Sequence, residues 1–177
     1  MRKKVVFIDR DGVINIEVGY LHKADDFKFI DYVFESLKLI QNKGFEIIIV
    51  TNQSGIARGI YTENEYHNLN AWMIKKFKDQ HIKILDTFYC PHGPNDSCKC
   101  RKPNPGMIYE AKKKHSINLS ESWMIGDKES DIQAGHSAGI NKTILVRSGH
   151  AIDEKNTKAL FVVDSIKECA EKIIQAL

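Results

Sequence analysis

No stretch of this 177-residue chain approaches the roughly 20 apolar residues needed to cross a bilayer. The N-terminus runs through basic residues into a strand, without the apolar h-region or cleavage site of a signal peptide. A cytoplasmic location is therefore the expectation, with cysteines reduced or metal-bound rather than cross-linked. An excess of one charge is also lacking: 26 Lys and Arg face 23 Asp and Glu, a net charge of +3. Lysines such as Lys75, Lys76 and Lys78, or Lys112 to Lys114, are scattered and read as solvated helix faces. A nucleic-acid partner is not expected, whereas a small anionic substrate would be tolerated. Internal repeats, low-complexity linkers, heptads and large apolar stripes are missing too, so residues 1–177 read as one domain and a monomer. Hydrophobic content of 42% against 28% charged residues is the balance of a globular chain able to bury a core.

What is present is an alternation of strand and helix signals. Val5 to Ile8 is a continuous apolar run, as in a strand buried on both faces. Val33, Phe34, Leu37 and Ile40 have helical spacing, with Gly44 at the C-terminal end. Phe45 to Val50 is the next strand, ending in Thr51 and Asn52. Thr62 and Glu65 form a capping box that opens a helix to about Lys78. Ile84 to Tyr89 is a third strand, followed by a Cys/His-rich loop to about Lys102. Pro105 suits the first turn of a helix running to about His115. Trp123 to Ile125 is a short strand before Gly126 and Asp127, and a helix covers about Asp131 to Ala138. Ile144 to Val146 and Phe161 to Val163 are further strands, and Ser165 with Glu168 is a second capping box. The pattern predicts an α/β fold, a doubly wound parallel sheet with helices on both faces.

A parallel sheet brings the carboxyl ends of its strands to one edge, where ligands bind. Asp9 and Asp11, Thr51 and Asn52, and Gly126 and Asp127 all stand at such ends, and Lys102 can reach the same edge. Clustered carboxylates need a cation or a proton between them, and a hard ion such as Mg2+ prefers oxygen ligands. Carboxylates also supply a nucleophile and a general acid/base. A threonine hydroxyl, backbone N–H groups and an ammonium make a phosphate cradle. Together these residues describe a phosphoryl-transfer site.

Cys90, His92, Cys98 and Cys100 offer three thiolates and one imidazole in a single loop. Cys3His is a closed tetrahedral zinc set. With all four positions taken, Zn2+ here would be structural, stiffening the loop that presents Arg101 and Lys102. Cys169 falls among Ile166, Ala170 and Ile173 and reads as core filling.

Asp9-Arg10-Asp11-Gly12-Val13-Ile14-Asn15, Val50-Thr51-Asn52, Lys102-Pro103 and Gly126-Asp127 through Asp131 resemble the four motifs of the haloacid dehalogenase-like phosphatases. Gly19-Tyr20, Thr51 through Gly59, Cys90-Pro91-His92, Cys98 through Pro103 and Gly126-Asp127-Lys128 resemble the branch of that family acting on heptose bisphosphates. The resemblance spans essentially the whole chain, in order. It implies a Rossmann-like fold without a large cap domain, and removal of the C7 phosphate of D-glycero-D-manno-heptose 1,7-bisphosphate for lipopolysaccharide core or capsule. By the same resemblance Asp9 is the nucleophile that becomes an aspartyl-phosphate, and Asp11 is the acid/base. Mg2+ is held by Asp9, Asp127 and the Asp11 carbonyl, while Thr51 and Lys102 hold the transferring phosphoryl group. Substrate contacts fall to Glu17, Val18, Gly19, Tyr20, Thr51, Asn52, Gln53, Ser54, Arg101, Lys102 and Lys128, with Arg101 on the distal phosphate. Glu17 stands where the family often has Asp, and the loop between the two cysteine-containing pairs is shorter than is usual there.

Two points stay open. Asp131 could join the metal shell or cap the helix after it, and Arg58 could meet the substrate or anchor its own loop. His22, His67, His81, His115, His136 and His150 show no partner pattern and default to surface or helix-face roles. A histidinol-phosphate phosphatase is the rival enzyme, and a zinc-loop binding module is the non-enzymatic alternative. The anomer preferred, α or β, is not written in these residues.

Overall fold

The computed structural model describes residues 2–177. Six strands form one wholly parallel sheet: β1 (Val5–Ile8), β2 (Glu46–Asn52), β3 (Ile84–Cys90), β4 (Trp123–Gly126), β5 (Lys142–Val146) and β6 (Phe161–Val163). Their order across the sheet is β3-β2-β1-β4-β5-β6. The chain winds outward from β1 in one direction, returns, and winds outward in the other. That reversal of strand order opens a crevice at the carboxyl ends beside β1.

Alternation along each buried strand feeds two cores. Val6, Ile8, Ile47, Ile49, Ile125 and Ile144 pack on one face against α1 (Val33–Asn42), α2 (Glu63–Asp79) and α5 (Ile166–Gln175). Val5, Phe7, Ile48, Val50 and Met124 pack on the other face against α3 (Gly106–His115) and α4 (Glu129–Ala138). All four β1 side chains are wholly buried, each contributing roughly 1.5–3 kcal/mol relative to exposure. This is why β1 reads as a solid apolar run rather than an alternating one. Cys169 lies in the first core, fully buried as core filling.

The local signals hold with three adjustments. Thr62 and Glu65 make the full capping box of α2, Thr62 accepting the Glu65 N–H at 3.2 Å and Glu65 accepting the Thr62 N–H at 2.7 Å. At α5 only half of the expected box forms: Ser165 accepts the Glu168 N–H, but the Glu168 carboxylate takes the Asp164 N–H at 3.3 Å. Pro105 stands at the N-cap of α3 rather than inside its first turn. Helix α4 begins at Glu129, two residues before the expected start, because Asp131 caps from within the first turn.

The register places the crevice. Ile8 pairs with Ile49 on one side and Ile125 on the other. One residue on, the Asp9 N–H donates to the Ile125 carbonyl at 3.0 Å, which carries Asp9 level with the end of β4. No large cap covers this edge; the segments 10–30, 53–61 and 90–104 surround it. Among the described residues no helix is long and apolar enough to cross a membrane.

Candidate active site

Asp9, Asp127 and Asp131 are buried together, each offering a carboxylate oxygen within 4.8 Å of the others. Lys102 threads between them, its Nζ 2.9 Å from Asp9 Oδ1, 2.6 Å from Asp131 Oδ1 and 2.8 Å from the Val50 carbonyl. Burial pushes the Asp9 carboxyl well above its ordinary range, against Lys102 and with the help of Asp131, Asp127 and Asp11. Burial works to lower the Lys102 ammonium, but Asp131 and Asp9 hold it above its usual range. The ammonium is therefore firmly charged, and the acids outnumber it.

The backbone around Lys102 is fixed by Asn52, whose amide accepts the Lys102 N–H and donates to the Lys102 carbonyl, both at 3.1 Å. That reciprocal pair ties the Cys/His loop to the end of β2. Asp9 Oδ1 takes the Arg10 N–H at 2.8 Å besides Lys102, while its Oδ2 has no hydrogen-bond donor among the described residues.

Asp11 has its own set of partners. Its Oδ1 accepts from Arg10 Nη2 at 2.9 Å and Asn15 Nδ2 at 3.0 Å, and its Oδ2 from Gln53 Nε2 at 3.1 Å. Gln53 also donates to Thr51 Oγ1 at 2.7 Å and accepts from the Tyr61 hydroxyl at 2.5 Å. Arg10 is 1% exposed, and its Nη2 reaches the Leu21 carbonyl at 3.1 Å. The guanidinium thus pins the loop after β1 and the acid at its tip together.

Both oxygens of Asp131 are engaged: Oδ2 accepts the Lys128 N–H at 3.0 Å, and Oδ1 holds Lys102. Capping and charge pairing coincide in one side chain. Asp127 is wholly buried, and its Oδ1 has no hydrogen-bond partner. A buried carboxylate oxygen without a donor is costly, and it faces a surplus of acids. A hard divalent cation suits that set, since it coordinates oxygen and offsets the surplus charge.

Two cavities adjoin the cluster. An inner one of about 60 Å³ is walled by Asp9, Asp11, Glu17, Lys102, Lys128 and Asp131, among others. An outer one of about 290 Å³ includes Glu17, Gly19, Tyr20, Asn52, Gln53, Ser54 and Lys128 in its walls. Asp11, Glu17, Asn52 and Lys128 line both, so a ligand could span them. Thr51 lies beneath, 1% exposed. Val18 and Arg101 are in neither wall; Arg101 Nη1 donates to the His92 carbonyl at 3.1 Å. The Arg58 guanidinium sits over the Tyr20 ring at 5.8 Å, joining two loops at the rim, which is the anchoring role.

Among the wall residues without a sequence assignment as site residues are Arg10, Tyr61 and His150. His150 corrects its surface assignment, because its ring Nδ1 lies 2.6 Å from Asp127 Oδ2. The signal was available: Ser148, Gly149 and His150 follow the end of β5 as the other polar residues follow β1, β2 and β4. His22 and His115 also have partners, a stack on Tyr61 at 5.2 Å and a contact with Asp86 at 2.6 Å.

At the end of β3, Cys90, His92, Cys98 and Cys100 converge, all four donor atoms within 4.8 Å of one another. Cys90 Sγ lies 3.7 Å from Cys98 Sγ and 3.5 Å from His92 Nδ1, and His92 Nδ1 lies 3.2 Å from Cys100 Sγ. A tetrahedral ion with bonds of about 2.3 Å to sulfur separates its ligands by roughly 3.7 Å. The Cys90–Cys98 pair already matches that, while the Cys90 and Cys100 sulfurs, 2.6 Å apart, would have to spread by about 1 Å to enclose zinc. Burial, then the hydrogen bond to Cys100, pushes the Cys90 thiol up; a bound cation reverses that by favouring the thiolate. Gly106 lets α3 start against the loop, since a Cβ there would fall 2.2 Å from the Lys99 carbonyl.

An acid at the tip of the first strand of a doubly wound sheet, a buried lysine and two acids after a later strand define a phosphohydrolase of the haloacid dehalogenase type. The sequence model of the family described as HAD-hydrolase-like matches residues 99–169. The chain is 49% identical over 164 residues to D-glycero-alpha-D-manno-heptose-1,7-bisphosphate 7-phosphatase of Photorhabdus laumondii, covering 89% of this chain and 90% of that one. It is 39% identical to D-glycero-beta-D-manno-heptose-1,7-bisphosphate 7-phosphatase of Escherichia coli, covering 95% and 92%. The solved D,D-heptose 1,7-bisphosphate phosphatase of B. bronchiseptica, complexed with magnesium and phosphate, superposes with a TM-score of 0.85 at 27% identity, over 98% and 99% of the two chains. The chain belongs to the family of heptose-1,7-bisphosphate 7-phosphatases.

Proposed function

We propose that the protein removes the C7 phosphate of D-glycero-D-manno-heptose 1,7-bisphosphate and releases heptose 1-phosphate. The observation that carries this is Asp9, held through Oδ1 by Lys102 and Arg10 with Oδ2 open, beside a cavity pair of phosphate and sugar dimensions. In this reading Asp9 Oδ2 attacks phosphorus, and the bond from phosphorus to the C7 oxygen breaks. Asp11, in its acid form, gives its proton to that oxygen. A water then attacks the aspartyl-phosphate, Asp11 takes its proton, and the bond from phosphorus to Asp9 breaks to release phosphate. Lys102 stabilises charge on the transferring oxygens throughout, with the Thr51 hydroxyl and loop N–H groups beside it. Asp9, Asp127 and the Asp11 carbonyl would hold Mg2+, which when bound neutralises charge on the phosphoryl group.

Glu17, Gly19, Tyr20, Asn52, Gln53 and Ser54 form the sugar compartment. Lys128, shared by both cavities, and Arg101, swung from His92, are the cations for the distal phosphate. Structural Zn2+ in the Cys/His set keeps that loop in place. The reaction is that of a monomeric enzyme of the cytoplasm, supplying heptose metabolism.

For the anomer, the α-named relative from Photorhabdus laumondii is 49% identical and a β-named relative from the same organism 42%. This supports the α-bisphosphate as the preferred substrate. Steady-state kinetics on both anomers and on histidinol phosphate tests the reading. The α-heptose bisphosphate should have the highest kcat/KM; a higher value for histidinol phosphate overturns the assignment, and a higher value for the β anomer overturns the anomer alone.

A further inference from the structure

We propose that His150 is a positioning residue for the divalent cation, acting through Asp127. This rests on the reading of the acid cluster as a Mg2+ site. The loop after β5 closes directly onto Asp127. Ser148 Oγ donates to the Gly12 carbonyl at 2.7 Å, which fastens that loop to the one after β1. Between them lies the Asp127 carboxylate. A Cβ at Gly149 would fall 2.1 Å from Asp127 Oδ2, and one at Gly12 would fall 2.3 Å from the same atom. Two glycines therefore let both loops meet around one carboxylate oxygen.

His150 fills that meeting point with two donors. Its backbone N–H lies 3.0 Å from Asp127 Oδ2, and its ring Nδ1 lies 2.6 Å from the same oxygen. A ligating carboxylate is ionised and only accepts, so Nδ1 carries the proton. The two hydrogen bonds occupy Oδ2, while Oδ1 stays buried with no partner. Asp127 is thereby presented to the cation through Oδ1 alone, in a fixed rotation. Partners that orient a ligating carboxylate in this way typically hold about 10–100-fold in metal affinity. The imidazole also lines the outer cavity, so this loop joins the cation site to the substrate compartment.

The test is Mn2+ binding to substrate-free protein, followed by electron paramagnetic resonance, with Mg2+ as competitor. His150→Leu fills the ring's volume without a donor, whereas His150→Asn can return an N–H near the position of Nδ1. The Leu variant should bind Mn2+ about 10-fold or more weakly, and the Asn variant should recover to within about threefold of wild type. At saturating Mg2+ the kcat of the Leu variant should return toward wild type, placing the loss in metal affinity. Circular dichroism separates these effects from unfolding, which the Asn variant would not repair selectively. Equal Mn2+ affinity in the Leu variant and wild type overturns the role of His150 alone. Absence of Mn2+ binding by wild type overturns the metal reading and this inference with it.

Discussion

Among the described residues two clusters of ligand-type side chains stand at the carboxyl ends of the strands, and they are built in opposite ways. Asp9 follows β1, Asp127 follows β4 and Asp131 stands in the first turn of α4, so the three meet only because β1 pairs with β4. Cys90, His92, Cys98 and Cys100 come from one loop at the end of β3. The first set is hard oxygen, buried, over-supplied with negative charge and laced with a lysine. The second is soft sulfur and nitrogen, closed on itself and partly exposed. The contrast separates chemistry from scaffolding. The acids suit a cation with open positions and a reacting phosphate, and the thiolates suit an ion that only ties down chain. The Asn52–Lys102 backbone pair and the Arg101–His92 contact connect the two.

Perturbing each cluster should give a different signature. Asp9→Asn should lower kcat by about 10^4-fold or more while leaving zinc content unchanged; a smaller loss in steady-state turnover would place the nucleophile elsewhere. Lys102→Met should cost about 10^3-fold in kcat. It should also cost about 3–5 kcal/mol in urea unfolding, because Asp9 and Asp131 are left as uncompensated buried charges. Cys98→Ser should abolish stoichiometric zinc by elemental analysis, lower the melting temperature and reduce kcat/KM only about tenfold. Retained zinc would break the contrast, and a loss as large as that of Asp9→Asn would erase it. Thr62→Ala touches neither cluster. It should cost about 1 kcal/mol of stability through the lost cap, with kcat unchanged.

Legibility followed sequence separation. The Cys/His set was readable because its spacing is local, and the acid pair because its two residues lie two apart at the end of one strand. The β–α alternation carried the sheet and both core faces, since the period of each element is written in its own side chains. The capping signal was readable at Thr62 but only half right at Ser165, where the Glu168 carboxylate had a choice of two neighbouring N–H groups. Asp131 looked like a choice between two roles, but its two oxygens cap Lys128 and pair with Lys102 at once. Arg10 passed as the middle of a motif, yet it is the buried tie between Asp11 and Leu21.

Residue order alone therefore determined the class of fold and the grouping of the Cys/His set, because each depends on local periodicity or close spacing. Tertiary structure decided how those groups are held. It put two glycines and His150 around Asp127, ran Lys102 between an acid after β1 and one in α4, and turned Arg101 toward His92. Those outcomes depend on which strands pair and how closely their loops approach, which residue order alone does not encode locally.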